Sequence, residues 1–399
     1  MTMSGPFSIA TARDRFPALR QDQVFMDNAG GSQVLGNVID SVSYYLSHNN
    51  VQLGATYRVG QISNASYENG YKAAAVYVNA DVSEIVLGGS TTQNFMNLAS
   101  SLQFPAGSEI ILSKIEHETN VKPWVYMARK LGLEIKWWVS EKPELKLTPE
   151  NLKPLLSEKT KFVACTHVSN ILGTIQDVKT LADTVHSVGA LFCVDGVSFA
   201  PHRQIDVKAF GVDFYAFSWY KVYGPHIALL YASQEAQKHM QSLAHYFNPT
   251  ATLADKIGFA ASNYEITQSI PLIVEYLGGS NPRPVFAAIA EHEAKLQKIL
   301  LDFLTSRPDI TVHGSTSSNP DTRVPTISFT VEGVNSKELV EKVDNESNFG
   351  MRWGHFYSKR LCDEVLGLGP EAVARVSLVH YNSEEEVKGL IEVLKKVLP

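Results

Sequence analysis

From about residue 70 to residue 235 the chain alternates between two patterns. Short runs that are apolar at nearly every position (EIVLGG, EIILS, KFVACTHV, ALFCVDG, FYAFSWY) are separated by segments in which apolar residues recur every three or four positions (TQNFMNLASSL, VKTLADTVHSVG). The first pattern predicts strands, the second helices. Strands without a polar face are covered on both sides, so the alternation predicts an α/β fold built on a mostly parallel, doubly wound sheet. Ligands of such sheets gather at the carboxyl ends of the strands. The unusual polar residues fall just past those ends: Ser90-Thr91-Thr92, Glu116-His117, His167 to Asn170, Asp195-Gly196 and Lys221. Five loops are expected to meet at one crevice.

Beyond about residue 280 the texture changes. A charged helical stretch (FAAIAEHEAKLQKILLDFL) leads through the turn-rich HGSTSSNPDTR to strand-like TISFTVEG and RVSLVHY and a closing helix. This predicts a smaller α+β domain made of residues 1–19 and 276–399, beside a large domain of residues 20–275.

Composition narrows the partners. A formal charge of -6, with 35 basic and 41 acidic residues spread along the chain, leaves no basic stripe for a phosphate backbone, so no nucleic acid is expected. No apolar run approaches the roughly 20 residues that span a bilayer, and the start lacks the apolar core of a secretory signal, so the expectation is a cytoplasmic protein without a membrane partner. Three scattered cysteines, Cys165, Cys193 and Cys362, suit neither a disulfide framework nor a metal cluster. The first two lie within strand-like runs and are read as core thiols.

Lys221 follows the apolar run DFYAFSWY. Burial lowers an amine's pKa, and a neutral amine condenses with an aldehyde, so a lysine there is a Schiff-base candidate; the alternative is a lysine that snorkels from a strand end to solvent. Asp195 closes another apolar strand, where a lone carboxylate is costly unless paired. A protonated pyridine nitrogen is a suitable partner, and the pair Lys221 and Asp195 together point to pyridoxal 5'-phosphate; a helix cap or structural ion pair is the competing reading of the aspartate. Gly88 to Gln93 joins a strand to an apolar helix, an arrangement that binds a phosphate through backbone N–H groups and the Thr91 and Thr92 hydroxyls, or else simply caps the helix. His117 is placed to stack on a flat cofactor, or is a structural histidine. Asn170 can donate its amide to a phenolate oxygen, or serves a turn that ends at Gly173.

Taken together, FMDNAGGSQ at 25–33, GGSTTQN at 88–94, EHETNVKPW at 116–124, HVSNILGT at 167–174, VDG at 194–196, FSWYKVYGP at 217–225 and RVSLVHYN at 375–382 resemble the class V aminotransferase family, fold type I, and within it the cysteine desulfurase-like group. The resemblance spans nearly the whole chain. It implies a Schiff base on Lys221, a pyridine partner in Asp195, a stacking ring in His117 and a ring-oxygen contact in Asn170. It also implies phosphate contacts from Thr91, Thr92 and Ser218, and a guanidinium fork for the substrate carboxylate in Arg375. Asn28, Arg352 and Tyr357 are further substrate-side candidates. A homodimer is implied as well, with Asn263 to Thr267 reaching the partner's cofactor.

The departures from the family bear on the reaction. Desulfurases of the most similar type carry a loop R-x-G-H-H-C whose cysteine takes up sulfur; here it reads Arg352-Trp353-Gly354-His355-Phe356-Tyr357. A phenol cannot become a persulfide. Tyr220 stands where the family has a histidine before the lysine, and Ser198 where it has a glutamine, which alters hydrogen bonding around the cofactor without removing the Schiff base. The overall texture is most similar to a fungal branch that serves alkaloid biosynthesis. The resemblance implies a quinonoid at the α-carbon of an amino acid, followed by Mannich-type carbon–carbon bond formation that closes a ring. Cysteine desulfurase-like C–S or β-eliminating lyase chemistry, and a catalytically silent binding protein, are the alternatives.

Overall fold

The computed structural model describes residues 8–140, 144–260 and 262–399. Its strands are β1 (Val24–Phe25), β2 (Ile85–Gly88), β3 (Glu109–Ser113), β4 (Glu134–Trp138), β5 (Thr160–Thr166), β6 (Leu191–Asp195), β7 (Phe214–Ser218), β8 (Ala228–Ala232), β9 (Ile310–His313), β10 (Thr326–Val331), β11 (Phe349–Gly350), β12 (Arg352–Gly354) and β13 (Val373–Ser377). Seven of them form one sheet in the order β2-β8-β7-β6-β5-β3-β4. The neighbours from β7 to β4 pair in parallel; β8 runs antiparallel to both β7 and β2. The sheet is thus mostly parallel, as its apolar strands predict.

Successive residues of these strands enter different cores. Val163 and Cys165 pack on one face with Val194 and Phe217, while Phe162 and Ala164 pack on the other with Cys193 and Phe214. Both faces are therefore dry, and neither Cys165 nor Cys193 reaches solvent. Chain order reverses between β3 and β5: from β3 the chain steps outward to β4, then returns to β5 and continues toward β7. Helices leave such a reversal on opposite faces and open a crevice at the carboxyl ends. The parallel register sets those ends level, with Thr166 opposite Asp195 and Asp195 opposite Ala216.

A second sheet, β12-β13-β10-β9, is antiparallel throughout. Leu296 and Leu300 from helix Arg283–Thr305, Val340 from Ser336–Glu346 and Leu390 from Glu384–Val397 close its core around Phe329. Val24 and Phe25, assigned by sequence to the large domain, pair instead in parallel with Phe349 and Gly350 beside this sheet. Phe16 is buried against Tyr223, Tyr276, His380 and Tyr381, so the N-terminal segment ties both parts together. Among the described residues no helix is long and apolar enough to cross a membrane.

Candidate active site

One cavity opens at the reversal between β3 and β5. It is lined by Thr91, Thr92, His117, Asn170, Asp195, Ser198, Ser218, Tyr220 and Lys221, together with Ser90, Thr119, Thr166, Val168 and Val197. Residues singled out from sequence thus come together from five loops. Thr119 and Thr166 were not singled out, since a threonine in EHET or at the end of an apolar strand has no distinguishing sequence signal.

Lys221 ends a single 3-10 turn, Trp219–Lys221, that terminates β7. The Trp219 N–H donates to Ile227 O at 2.8 Å, the Ser32 N–H to Tyr220 O at 3.1 Å, and the Tyr223 N–H to Ser32 Oγ at 2.8 Å. Tyr223 adopts φ +60°, a left-handed conformation costly for a bulky side chain and held here by these contacts. The amine is buried and has no hydrogen-bond or ion-pair partner among the described residues. Burial lowers its pKa, the Arg375 charge adds to that effect, and Asp195 and Asp27 oppose it. Asp195 is equally buried, and burial raises its carboxyl against the opposing pull of the Val197 N–H and Lys221. Its Oδ1 accepts from Val197 N at 2.9 Å; the other oxygen has no hydrogen-bond partner among the described residues.

At the far side, helix Thr91–Ser101 begins at the cavity with Ser90 as its cap, whose Oγ accepts from Gln93 N at 3.1 Å. Thr91 and Ser218 share a hydroxyl hydrogen bond of 2.8 Å, and Thr92 and Thr119 one of 2.9 Å. A Cβ on Gly88 would lie 2.0 Å from Asn94 Oδ1, so any side chain here would displace the buried Asn94 amide. His117 accepts from Thr119 N through Nδ1 at 3.1 Å, which leaves its proton on Nε2. Burial, then the charges of Lys221 and Arg375, lower its pKa to about 3, so the ring is neutral. Tyr220 stacks on His226 with centroids 4.7 Å apart.

The roof comes from the second sheet. Asn170 Nδ2 donates to Phe356 O at 2.9 Å, its Oδ1 accepts from Ser358 Oγ at 2.8 Å, and its backbone oxygen accepts from Arg375 Nη1 at 3.2 Å. One N–H of the Asn170 amide is thereby spent and one remains. Arg375 is 1% exposed, not a surface strand residue. Its Nη2 contacts Asp27 Oδ1 at 2.6 Å, Phe356 covers its guanidinium at 3.5 Å, and its Nε is buried without a partner among the described residues. Arg352 reaches the other Asp27 oxygen at 3.2 Å. Tyr357 is 69% exposed, with its ring on His117.

Asn28 departs from the expectation of a substrate contact. Its Nδ2 donates to Ser377 O at 2.9 Å and Asn382 Oδ1 at 3.1 Å, while its Oδ1 accepts from Tyr381 Oη. The amide is committed to fastening the N-terminal segment; its neighbour Asp27 is the residue that meets the arginines. Phe356 and Asp27 are the roof residues that sequence reasoning missed, although both stand in motifs it quoted.

A buried free amine, a carboxylate with one open oxygen and a hydroxyl-lined helix start form a donor set that fits pyridoxal phosphate, on the fold of a fold type I enzyme. The chain belongs to the aminotransferase class-V family, whose model matches residues 24–390. It is 54% identical over 401 residues, 99% of this chain and 100% of the relative, to the aminotransferase-like protein FGM3 of Gibberella zeae. It is 36% identical to the cysteine desulfurase-like protein ustD of Aspergillus flavus, across 98% of this chain and 90% of that one. A cysteine desulfurase from Thermococcus onnurineus NA1, solved in its apo form, shares the fold with a TM-score of 0.89 at 24% identity over 99% of both chains. The enzyme is pyridoxal phosphate-dependent and cysteine desulfurase-like.

Proposed function

We propose that this enzyme breaks and makes bonds at the carbon next to the carboxylate of an amino-acid substrate, and that it forms a carbon–carbon bond, in a Mannich-type cyclisation, rather than passing sulfur to a protein thiol. The observation that carries this reading is the roof. Tyr357 lies over His117 where desulfurases place their cysteine, and all three cysteines are buried. Cys362, the one nearest in sequence to the roof, has its thiol pushed up to about 12, chiefly by burial. A thiol that does not ionise near neutral pH is not a sulfur acceptor.

The bound cofactor supplies an electron sink that weakens the bonds at that carbon. Lys221 would hold it, and its amine, of lowered pKa, would take the proton from the substrate carbon. Asp195 would offer its open oxygen to the ring nitrogen, and the remaining Asn170 N–H would serve the ring oxygen. Thr91, Thr92 and Ser218, with the start of helix Thr91–Ser101, receive the phosphate. Ser198 and Tyr220 complete the polar lining, and the neutral His117 ring would cover the cofactor face. The unpaired Arg375 Nε–H awaits the substrate carboxylate. Phe356 and Tyr357 wall the substrate side with aromatic surface, which favours a cationic imine by cation–π attraction.

The division into residues 20–275 and a smaller part of residues 1–19 and 276–399 is part of this reading, the smaller part roofing the cavity. So is a homodimer, supported by family resemblance and by Tyr246 and Phe247, which are 99% and 70% exposed. Incubation of the holoenzyme with amino acids that bear a cyclic amine, followed by mass analysis of the products, tests the function. A ring-closed product supports it. A free sulfur species and a deaminated keto acid from sulfur amino acids, with no ring-closed product, indicate β-elimination instead.

A further inference from the structure

We propose that Asp27 sets how strongly this site holds a substrate carboxylate: it is a built-in carboxylate that opposes the substrate's at Arg375. The inference rests on the reading of Arg375 as the carboxylate-binding residue. Arg375 is buried, and among the described residues its charge is balanced by one ion pair, Nη2 to Asp27 Oδ1 at 2.6 Å. The Asp27 backbone is anchored, bridging Ser377 in parallel and accepting from Gly30 N at 3.0 Å, and its two carboxylate oxygens are held by Arg375 and Arg352. Arg352, with a side chain 57% exposed, draws on the same carboxylate from the solvent side at 3.2 Å.

The consequence is electrostatic. When the site is empty, Asp27 compensates a guanidinium that burial would otherwise penalise, and keeps its fork in place beneath Phe356. An arriving carboxylate gains the unpaired Nε–H but enters the field of the like charge already paired with the guanidinium, beside the Phe356 ring that covers Arg375. Asp27 thereby weakens the hold on substrate and product, and Arg352 moderates it by sharing its charge.

The test compares L-alanine with L-alaninamide, which differ only in the carboxylate, by titrating the visible absorbance of the holoenzyme. In Asp27→Asn, which keeps an acceptor but no charge, the preference for the acid over the amide rises by about tenfold or more. Arg352→Gln, an exposed position that spares folding, lowers the preference in wild type and leaves it unchanged in the Asp27→Asn background. In Arg375→Gln the preference is lost. A preference that survives Arg375→Gln overturns the arginine reading and the proposal with it. Lost preference there, with an unchanged or lower preference in Asp27→Asn, overturns the proposal alone. Should Asp27→Asn fail to load cofactor, an unchanged preference in Arg352→Gln overturns it.

Discussion

The ring of Tyr357 lies over that of His117, with centroids 5.2 Å apart and planes tilted by 35°. The contact is held by backbone, not by ring attraction alone: Glu118 N donates to Tyr357 O at 2.8 Å, and both Phe356 and Tyr357 adopt left-handed φ values, 46° and 60°. Two consecutive aromatic residues in that conformation are strained and need such restraint. The position of the Tyr357 ring is therefore fixed by the backbone.

This makes sulfur chemistry testable by substitution. Wild type incubated with L-cysteine is expected to carry no persulfide, whereas Tyr357→Cys, which puts an exposed thiol at the same place, gains one. Mass analysis of the intact protein reads both. A persulfide on Cys362 of wild type, abolished in Cys362→Ser, contradicts the account.

The lowered pKa of Lys221 governs cofactor loading. Only the neutral amine attacks the aldehyde, and burial with the Arg375 charge makes it neutral well below the ordinary 10.5. Reloading of apo-protein, followed by visible absorbance, is expected to accelerate as pH rises from neutrality and to level off before 10.5 is reached. Arg375→Gln removes one cause of the shift, so its plateau moves to higher pH. A rate that still climbs through 10.5 in wild type places the amine in ordinary surroundings.

Glu116 gives a stability prediction. It is buried beneath the His117 loop, where it accepts from Thr166 N at 2.8 Å, from Asn120 Nδ2 at 2.7 Å and from Ser113 Oγ. Burial raises its pKa from 4.5 to about 8, against those donors. The folded state thus holds the proton more tightly than the unfolded state. The resulting stability is full below 4.5 and is lost as pH rises through about 8. Glu116→Gln does not titrate, so its stability relative to wild type should improve across that window by on the order of 5 kcal/mol. Denaturant unfolding at several pH values measures it, and parallel pH profiles for the two proteins contradict the assignment.

The site was legible in sequence to the extent that strand ends announce themselves. A run such as LFCVD or FYAFS has no polar face, so the Asp195 and Lys221 that close such runs stand out at once. The antiparallel turn of β8 was hidden because a strand covered on both faces reads alike in either direction. The role of Asp27 was hidden for a different reason: its partners Arg352 and Arg375 lie more than three hundred positions away, and the pairing of Val24–Phe25 with Phe349–Gly350 and the bridge to Ser377 bring them together. The same distance concealed Asn28, whose motif suggested a ligand contact but whose amide fastens Tyr381 and Asn382. Glu116 adjoins His117 in sequence, yet nothing in SKIEHETN marks it as buried.

The account stands on Lys221 as the group that takes the proton from the substrate carbon. Proton NMR of L-alanine in deuterated buffer reads this step without reference to the final product. Wild-type holoenzyme is expected to replace the α-hydrogen with deuterium, and Lys221→Ala reconstituted with pyridoxal phosphate to lose the exchange by at least about a hundredfold. Exchange at the wild-type rate in Lys221→Ala would show that another base does the work and would contradict the assignment on which the site rests.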